Sequence, residues 1–380
     1  MMERKKICIV STVPIVLHIF MHSHILKLSE FFDITLVTSG TVGGVDKLLS
    51  AHVGFVRLDI ERKISIGKDF RALLLLSKHL RASKYDCVFS LMPKSGLVGM
   101  LAGFIARTPV RVHIFTGQVW ATKSGLFRVL LSTLDRLLAL CATHLLADSY
   151  SQKRFLEVNR VAPVGKIKVL GNGSISGVDT NRFSANPLIR RKIRETLGIK
   201  EADVVFLFLG RASQAKGVVD LAYAFRKLSE QFQNVHLLLV GPDDDGVDEE
   251  LSSILVGKEG RYHRIGFTVV PEEWMAASDI FCLPSYREGF GTAVVEAASV
   301  GLPAIVSRIY GLTDAVDEGK TGVFHPSGDR SEIFNCMKKL YEDPLHRSQL
   351  AELAHQRAAK FFSQEYVTNE MALYFKSVLM

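Results

Sequence analysis

Cysteine is scarce: the 380 residues hold five, Cys8, Cys87, Cys141, Cys282 and Cys336, odd in number, widely spaced and mostly inside apolar runs. With no Cys-x-x-Cys pair and no His-rich ligand spacing, neither a disulfide framework nor a zinc site is indicated, and buried free thiols in a reducing cytoplasm are expected. Two nucleotide fingerprints are missing as well. Neither Gly-x-Gly-x-x-Gly nor Gly-x4-Gly-Lys-Ser/Thr occurs, which argues against a dehydrogenase and a P-loop ATPase. Nor does any long apolar run qualify as a lipid-spanning helix, because Val129 to Ala147 is interrupted by Asp135, Arg136 and His144. Arg4, Lys5 and Lys6 before Ile7 to Phe20 imitate a signal peptide, but Pro14 and His18 break the run and no small-residue cleavage pattern follows. The segment reads as a first core strand.

Acids are short in the first half only. Through Lys200 there are 30 Lys and Arg against 13 Asp and Glu, a net of +17, and after it 17 against 26, a net of −9, giving the overall +8. No nucleic-acid motif or aromatic stacking platform accompanies the basic half, so an anionic membrane surface is the expected partner and nucleic acid is not. The stretch Gly67 to Ser83 makes this specific: Leu73, Leu76 and Leu80 share one helical face, while Arg71, Lys78 and Arg81 lie opposite with Leu74 and Leu75 among them. A solvated face with two scattered leucines, or a second buried contact, is the competing reading.

What is present is alternation. Strand-like runs at Ile7 to Ser11, Ile34 to Thr38, Phe55 to Leu58, Cys87 to Leu91, Arg111 to Phe115 and Leu145 to Ala147 interleave with helical stretches. The pattern returns at Val204 to Leu209, Val235 to Val240, Tyr262 to Gly266, Ile280 to Leu283 and Ala304 to Ser307. Alternation of this kind predicts an α/β fold of two doubly wound, Rossmann-like domains, a division that the chain length also favours. The join is placed among the Gly, Asn, Asp and Ser residues near Val178 to Pro187, giving a first domain over 1–185 and a second over 186–362. The last segment, 363–380, is expected to pack back on the first domain.

Two loops carry the chemistry. Glu288 and Glu296 bracket Gly-Phe-Gly-Thr-Ala-Val-Val, a glycine turn leading from the strand Ile280 to Leu283 into a helix from Gly291 to Gly301. Unpaired N–H groups and the positive dipole end at such a helix start suit a phosphate, and Gly289 and Gly291 admit it close to the main chain. Carboxylates beside a phosphate repel it, so Glu288 and Glu296 fit uncharged hydroxyls, such as those of a ribose and a hexose. A helix-surface carboxylate and an ordinary loop charge are the alternative. Upstream, the strand Val204 to Leu209 ends in Gly210-Arg211-Ala-Ser-Gln-Ala-Lys216-Gly217, whose Arg211 and Lys216 flank a second strand-to-helix crevice and match a diphosphate.

On these two elements the chain resembles glycosyltransferase family four, retaining enzymes of the two-domain GT-B type in which two Rossmann-like domains face a central cleft. The likeness spans essentially the whole chain and is strongest from Val204 to Pro326. It implies that Glu288 contacts the transferred sugar as a catalytic residue and Glu296 the ribose. Arg211 and Lys216 would bind the donor diphosphate, helped by the amides of Phe290, Gly291 and Thr292. His113 is implied as the catalytic-site histidine beside the sugar, with a satisfied core histidine as the competing reading, since Ile114 and Phe115 continue its strand. Thr12, Pro14 and His22 are implied on the acceptor side, although Thr12-Val-Pro14 lacks the glycine that relatives place there.

Arg111-Val-His-Ile-Phe-Thr-Gly-Gln-Val-Trp looks like the segment found in enzymes building O-antigen, capsule or related glycans. Gly171-Asn-Gly-Ser and Gly177-Val-Asp179 resemble their interdomain segment. The expectation is a hexosyl or N-acetylhexosaminyl transfer from a UDP-sugar to a polyprenyl-diphosphate-linked saccharide at the inner face of the cell membrane. No cofactor and no metal are expected, because Asp243 to Asp245 read as a polar loop entering a helix and the cations already balance the diphosphate. The rival functions are a GT-B-like epimerase or phosphorylase and a non-catalytic sugar-nucleotide binder.

Overall fold

A computed structural model describes residues 4–61 and 65–380. The chain divides into two compact units, Met1–Ser176 with Gln364–Met380, and Gly177–Ser363. The first holds the strands β1 (Lys6–Val10), β2 (Asp33–Thr38), β3 (Val53–Arg57), β4 (Cys87–Leu91), β5 (Val110–Phe115), β6 (His144–Ala147) and β7 (Ile167–Val169). All pairs are parallel, in the order β3-β2-β1-β4-β5-β6-β7. Helices cover both faces, which is why strands such as β1 and β4 are apolar along nearly their whole length instead of alternating.

The connections are α1 (Pro14–Phe20), α2 (His22–Ser29), α3 (Ile66–Ser83), α4 (Pro93–Ala106), α5 (Gly125–Cys141) and α6 (Tyr150–Val158). Two cores result, one on each side of the sheet. α3, α4 and α5 close over Cys8, Val10 and Val88, while α1 and α2 pack on Ile7 and Ile9.

The second unit holds β8 (Val204–Leu209), β9 (Val235–Val240), β10 (Tyr262–Ile265), β11 (Ile280–Leu283), β12 (Ala304–Ser307) and β13 (Gly322–His325), parallel in the order β10-β9-β8-β11-β12-β13. Its helices are α7 (Pro187–Thr196), α8 (Val218–Gln231), α9 (Asp248–Ile254), α10 (Pro271–Ala276), α11 (Thr292–Val300), α12 (Leu312–Ala315), α13 (Arg330–Glu342) and α14 (Pro344–Phe362). One core runs through it, from Phe206 and Phe208 to Phe225, Phe281 and Phe362. A last helix, α15 (Gln364–Leu379), returns to the first unit, where it lies on α2 and sets Phe375 edge-on to Phe89 at 5.1 Å.

The structure differs from the sequence reading in three places. β7 and β13 are additional strands, each partly exposed at a sheet edge, where the polar or small residues Lys168, Gly322 and His325 stand in place of a continuous apolar run. The join lies earlier than residue 185, because 177–185 packs with the second unit. Val178 N–H donates to Phe362 O at 2.7 Å, Phe183 enters the second core, and Ser299 Oγ donates to Phe183 O at 2.7 Å. The third difference is Cys336, which is partly exposed, whereas the other four cysteines are the buried free thiols expected.

Candidate active site

In the second sheet the chain runs outward from β8 to β10 and then returns to β11 on the other side of β8. The loops leaving β8 and β11 at their carboxyl ends therefore lead to helices on different sides of β8, at the switch point where ligands usually bind in a doubly wound sheet. These are the loops of Lys216 and Glu288. Their backbones touch: Tyr286 N–H donates to Ala215 O at 3.0 Å, and a Cβ on Gly217 would lie 2.1 Å from Pro284 O. With φ at +67° as well, residue 217 has two separate reasons to be glycine.

Across this seam Lys216 Nζ pairs with Glu288 Oε1, which also accepts from Ser285 Oγ at 2.7 Å. Both side chains are largely withdrawn from solvent, with 22% and 12% exposed. Arg211 sits at the more open end and pairs with Asp244, whose N–H is held by Ala212 O at 2.9 Å. Each expected diphosphate cation thus rests on a carboxylate. The three aspartates expected to form a polar loop are all engaged: Asp243 accepts from Val247 and Asp248 N–H at the start of α9, Asp244 takes Arg211, and Asp245 accepts from Gln214 N–H at 3.0 Å.

Gly291 opens α11 with φ at +80° and provides no side-chain cap, in contrast to Asn186 and Asp329, which cap α7 and α13. The first N–H groups of α11, near Phe290, Gly291 and Thr292, consequently keep their capacity for an anion. A Cβ here would also meet Leu312 Cδ2 at 2.5 Å, so a side chain would force that leucine to shift. Phe290 anchors the turn by burying its ring 5.2 Å from Phe362. Glu296 lies one turn further along α11, partly exposed. Burial raises its pKa to about 7, with Arg182 pulling it down and Glu272 pushing it up.

Several residues that sequence reasoning missed support these loops. Asp220, in the first turn of α8, accepts from Tyr286 Oη at 2.7 Å and from Arg330 Nε at 2.7 Å, tying the loop of Glu288 to the helix that follows Lys216. Arg182 donates to Glu272 Oε2 at 2.8 Å and to Val269 O at 2.9 Å, so a cation stands in the electrostatic field of Glu296. Contacts across 66, 90 and 110 residues leave no local signal.

In the first unit the structure gathers Thr12, Pro14 and His22 at one end of β1. Thr12 O accepts from Ser39 Oγ, and Pro14 packs against both Gly40 and Gly44. Gly44 O meets His18 Nε2, and the His18 ring stacks on His22 with centroids 6.4 Å apart. Burial and the neighbouring His18 lower the His22 pKa. The glycines that stand against Pro14 belong to the loop after β2.

His113 requires a correction. It points into the core beneath α4, 1% exposed, where it pairs with Ser90 Oγ at 2.9 Å and leaves no room for a side chain at Gly96. Burial drives its pKa down to about 3, so the ring is neutral, and it cannot contact a sugar from this position. The carboxyl end of β5 is marked by Thr116, whose hydroxyl meets Met92 Sδ at 3.8 Å, with Met92 at an unusual φ of +72°.

Two family models divide the chain as the two sheets do: residues 28–173 match a glycosyl transferase 4-like domain and residues 189–357 match glycosyl transferases group 1. The chain is a glycosyltransferase. Among curated relatives, the Staphylococcus aureus capsular polysaccharide biosynthesis glycosyltransferase CapM is 27% identical over 87% of this chain and 85% of its own. The Escherichia coli UDP-Gal:alpha-D-GlcNAc-diphosphoundecaprenol alpha-1,3-galactosyltransferase is 29% identical over 83% and 81%. Among solved structures, Anabaena HepE in complex with UDP superposes with a TM-score of 0.79 over 99% of this chain and 100% of its own, at 20% identity. The likeness establishes the GT-B fold for this glycosyltransferase.

Proposed function

We propose that this glycosyltransferase moves a hexosyl or N-acetylhexosaminyl unit from a UDP-sugar to a polyprenyl-diphosphate-linked saccharide, with retention at the anomeric carbon and without a metal, at the inner face of the cell membrane. The observation that carries the reading is the Lys216–Glu288 pair beside the uncapped start of α11 at the switch point of the second sheet. The E. coli relative, whose name gives UDP-Gal as donor and a diphosphoundecaprenol acceptor, and HepE, solved with UDP, support the choice of substrates.

When a donor enters, Lys216 and Arg211 exchange their carboxylates for diphosphate oxygens, joined by the first amides of α11. Glu288 is released to the sugar hydroxyls and Glu296 receives those of the ribose. The anomeric C–O bond breaks with its electron pair leaving on UDP. Those cations and amides stabilise that charge as it develops, the place where such groups contribute most to rate. The acceptor hydroxyl attacks from the same face and passes its proton to the departing phosphate, so no protein nucleophile is needed.

The test is a panel of nucleotide sugars incubated with extracted polyprenyl-linked acceptors and read by mass. One added hexose or N-acetylhexosamine from a UDP-sugar is expected; product only from donors with other bases, or free sugar without acceptor product, overturns the reading.

Glu296 gives a second handle. A ribose diol donates best to the ionised carboxylate, so donor binding selects that form and releases a proton. With the pKa near 7, Kd for an intact UDP-hexose is expected to rise toward about tenfold for each pH unit by which pH drops below it, and to level off at its lowest value above it. Glu296→Gln should flatten the profile. Calorimetric titrations across roughly pH 6 to 8 decide this, and a pH-independent Kd in the wild type refutes the carboxylate–ribose assignment.

A further inference from the structure

α3, α4 and α5 lie side by side over one face of the first sheet. α5 faces the core with Ser132, Asp135, Leu138 and Ala139, as an amphipathic helix should. It then carries a second apolar stripe on the opposite side. Leu126, Val129, Leu130, Leu137 and Leu140 are 39% to 88% exposed and follow helical spacing, forming a line about 21 Å long. Their neighbours extend it, with Phe104 and Ile105 exposed at the end of α4 and Phe70 and Leu74 on α3.

Basic residues dominate the segment that holds this stripe. From Cys87 to Ala147 there are six Lys and Arg and a single acid, Asp135. That acid is turned inward, where it accepts from Trp120 Nε1 at 2.7 Å. Lys123 and Arg136 stand exposed beside the leucines, and Arg71 and Lys78 beside those of α3. A second copy of the chain docked on this stripe would set like charges against each other. An anionic bilayer takes both components, leucines among the upper acyl chains and cations among the headgroups. No helix among the described residues is long and apolar enough to cross a membrane, so this helix would lie in the interface plane.

We propose that the outer stripe of α5, Leu126 to Leu140, is the surface by which the first unit lies on an anionic lipid bilayer. It deepens the reading of a lipid-linked acceptor by naming the surface that meets the lipid, and it places the main contact on α5 where the sequence pointed to α3.

The test uses the full chain and sedimentation with vesicles of phosphatidylcholine alone or mixed with phosphatidylglycerol. Binding is expected only to the mixed vesicles and should weaken with added salt. Leu126→Glu with Leu130→Glu should lower the partition coefficient by about tenfold or more, and Lys123→Glu with Arg136→Glu should remove most of the salt-sensitive part. Because Leu126 and Leu130 are exposed, unchanged thermal melting is expected and shows that the fold persists. Undiminished binding by the leucine variant overturns the proposal, as does equal binding to neutral vesicles. Loss of a dimer in light scattering with vesicle binding retained overturns it too, since the stripe is then a self-association surface. If the donor panel finds no lipid-linked acceptor while the stripe still governs vesicle binding, the acceptor reading fails and this one stands.

Discussion

Glu288→Gln is expected to lower kcat by about 10²–10³-fold while changing the Kd for the donor only a few-fold. The amide has nearly the same shape and keeps an oxygen for Ser285 Oγ, so the loop should hold its course. What it removes is negative charge facing a sugar that gains positive charge as the diphosphate leaves. An interaction that grows toward the transition state appears in kcat, not in ground-state affinity. Steady-state kinetics paired with calorimetric donor binding separate the two. A variant turning over at the wild-type rate removes Glu288 from the mechanism.

Lys216→Met should act on both quantities, raising the donor Kd by about 10–100-fold and lowering kcat/KM by about 10³-fold, because the cation meets the diphosphate before and during its departure. The donor-free protein adds a second signature. Glu288 is mostly buried, and without Lys216 its carboxylate keeps Ser285 as its hydrogen-bond donor. Lys216→Met should therefore cost about 1–3 kcal/mol of stability, and adding Glu288→Gln should restore much of it, since the uncompensated charge is then gone. Chemical denaturation of the two single variants and the double variant measures this coupling. Additive effects would mean that the two side chains do not interact, and a wild-type donor Kd in Lys216→Met would take that lysine out of the diphosphate site.

How much of this was legible in the sequence followed from how local the determining contacts are. The Glu288–Glu296 spacing, the glycine turn and the strand before it lie within one strand–loop–helix unit, and residue order alone places both carboxylates around the start of α11. The pairing of Lys216 with Glu288 crosses 72 residues, yet it was approachable because each loop carried its own strand-to-helix signature. Asp220, Tyr286 and Arg330 had no such signature, and neither did Arg182 with Glu272. They become one structure only when β8 and β11 lie side by side.

His113 shows a different limit. Both faces of the first sheet are covered, so its strands lack the polar alternation that would reveal which way each side chain points. Neutral and sealed under Gly96, the ring reads in sequence like any histidine near a strand end. The glycines beside Pro14 were hidden for a third reason, because they approach it from the loop after β2 and not from the loop in which a glycine was sought.

The return of α15 to the first unit has a consequence for how the protein is made. Residues 177–363 form a contiguous unit and can complete their sheet as soon as they leave the ribosome, whereas the first unit, synthesised earlier, still awaits Met371 and Phe375 to seal the side of its sheet that carries α2. The half that emerges first therefore finishes last, and until then its bare apolar surface is open to chaperones.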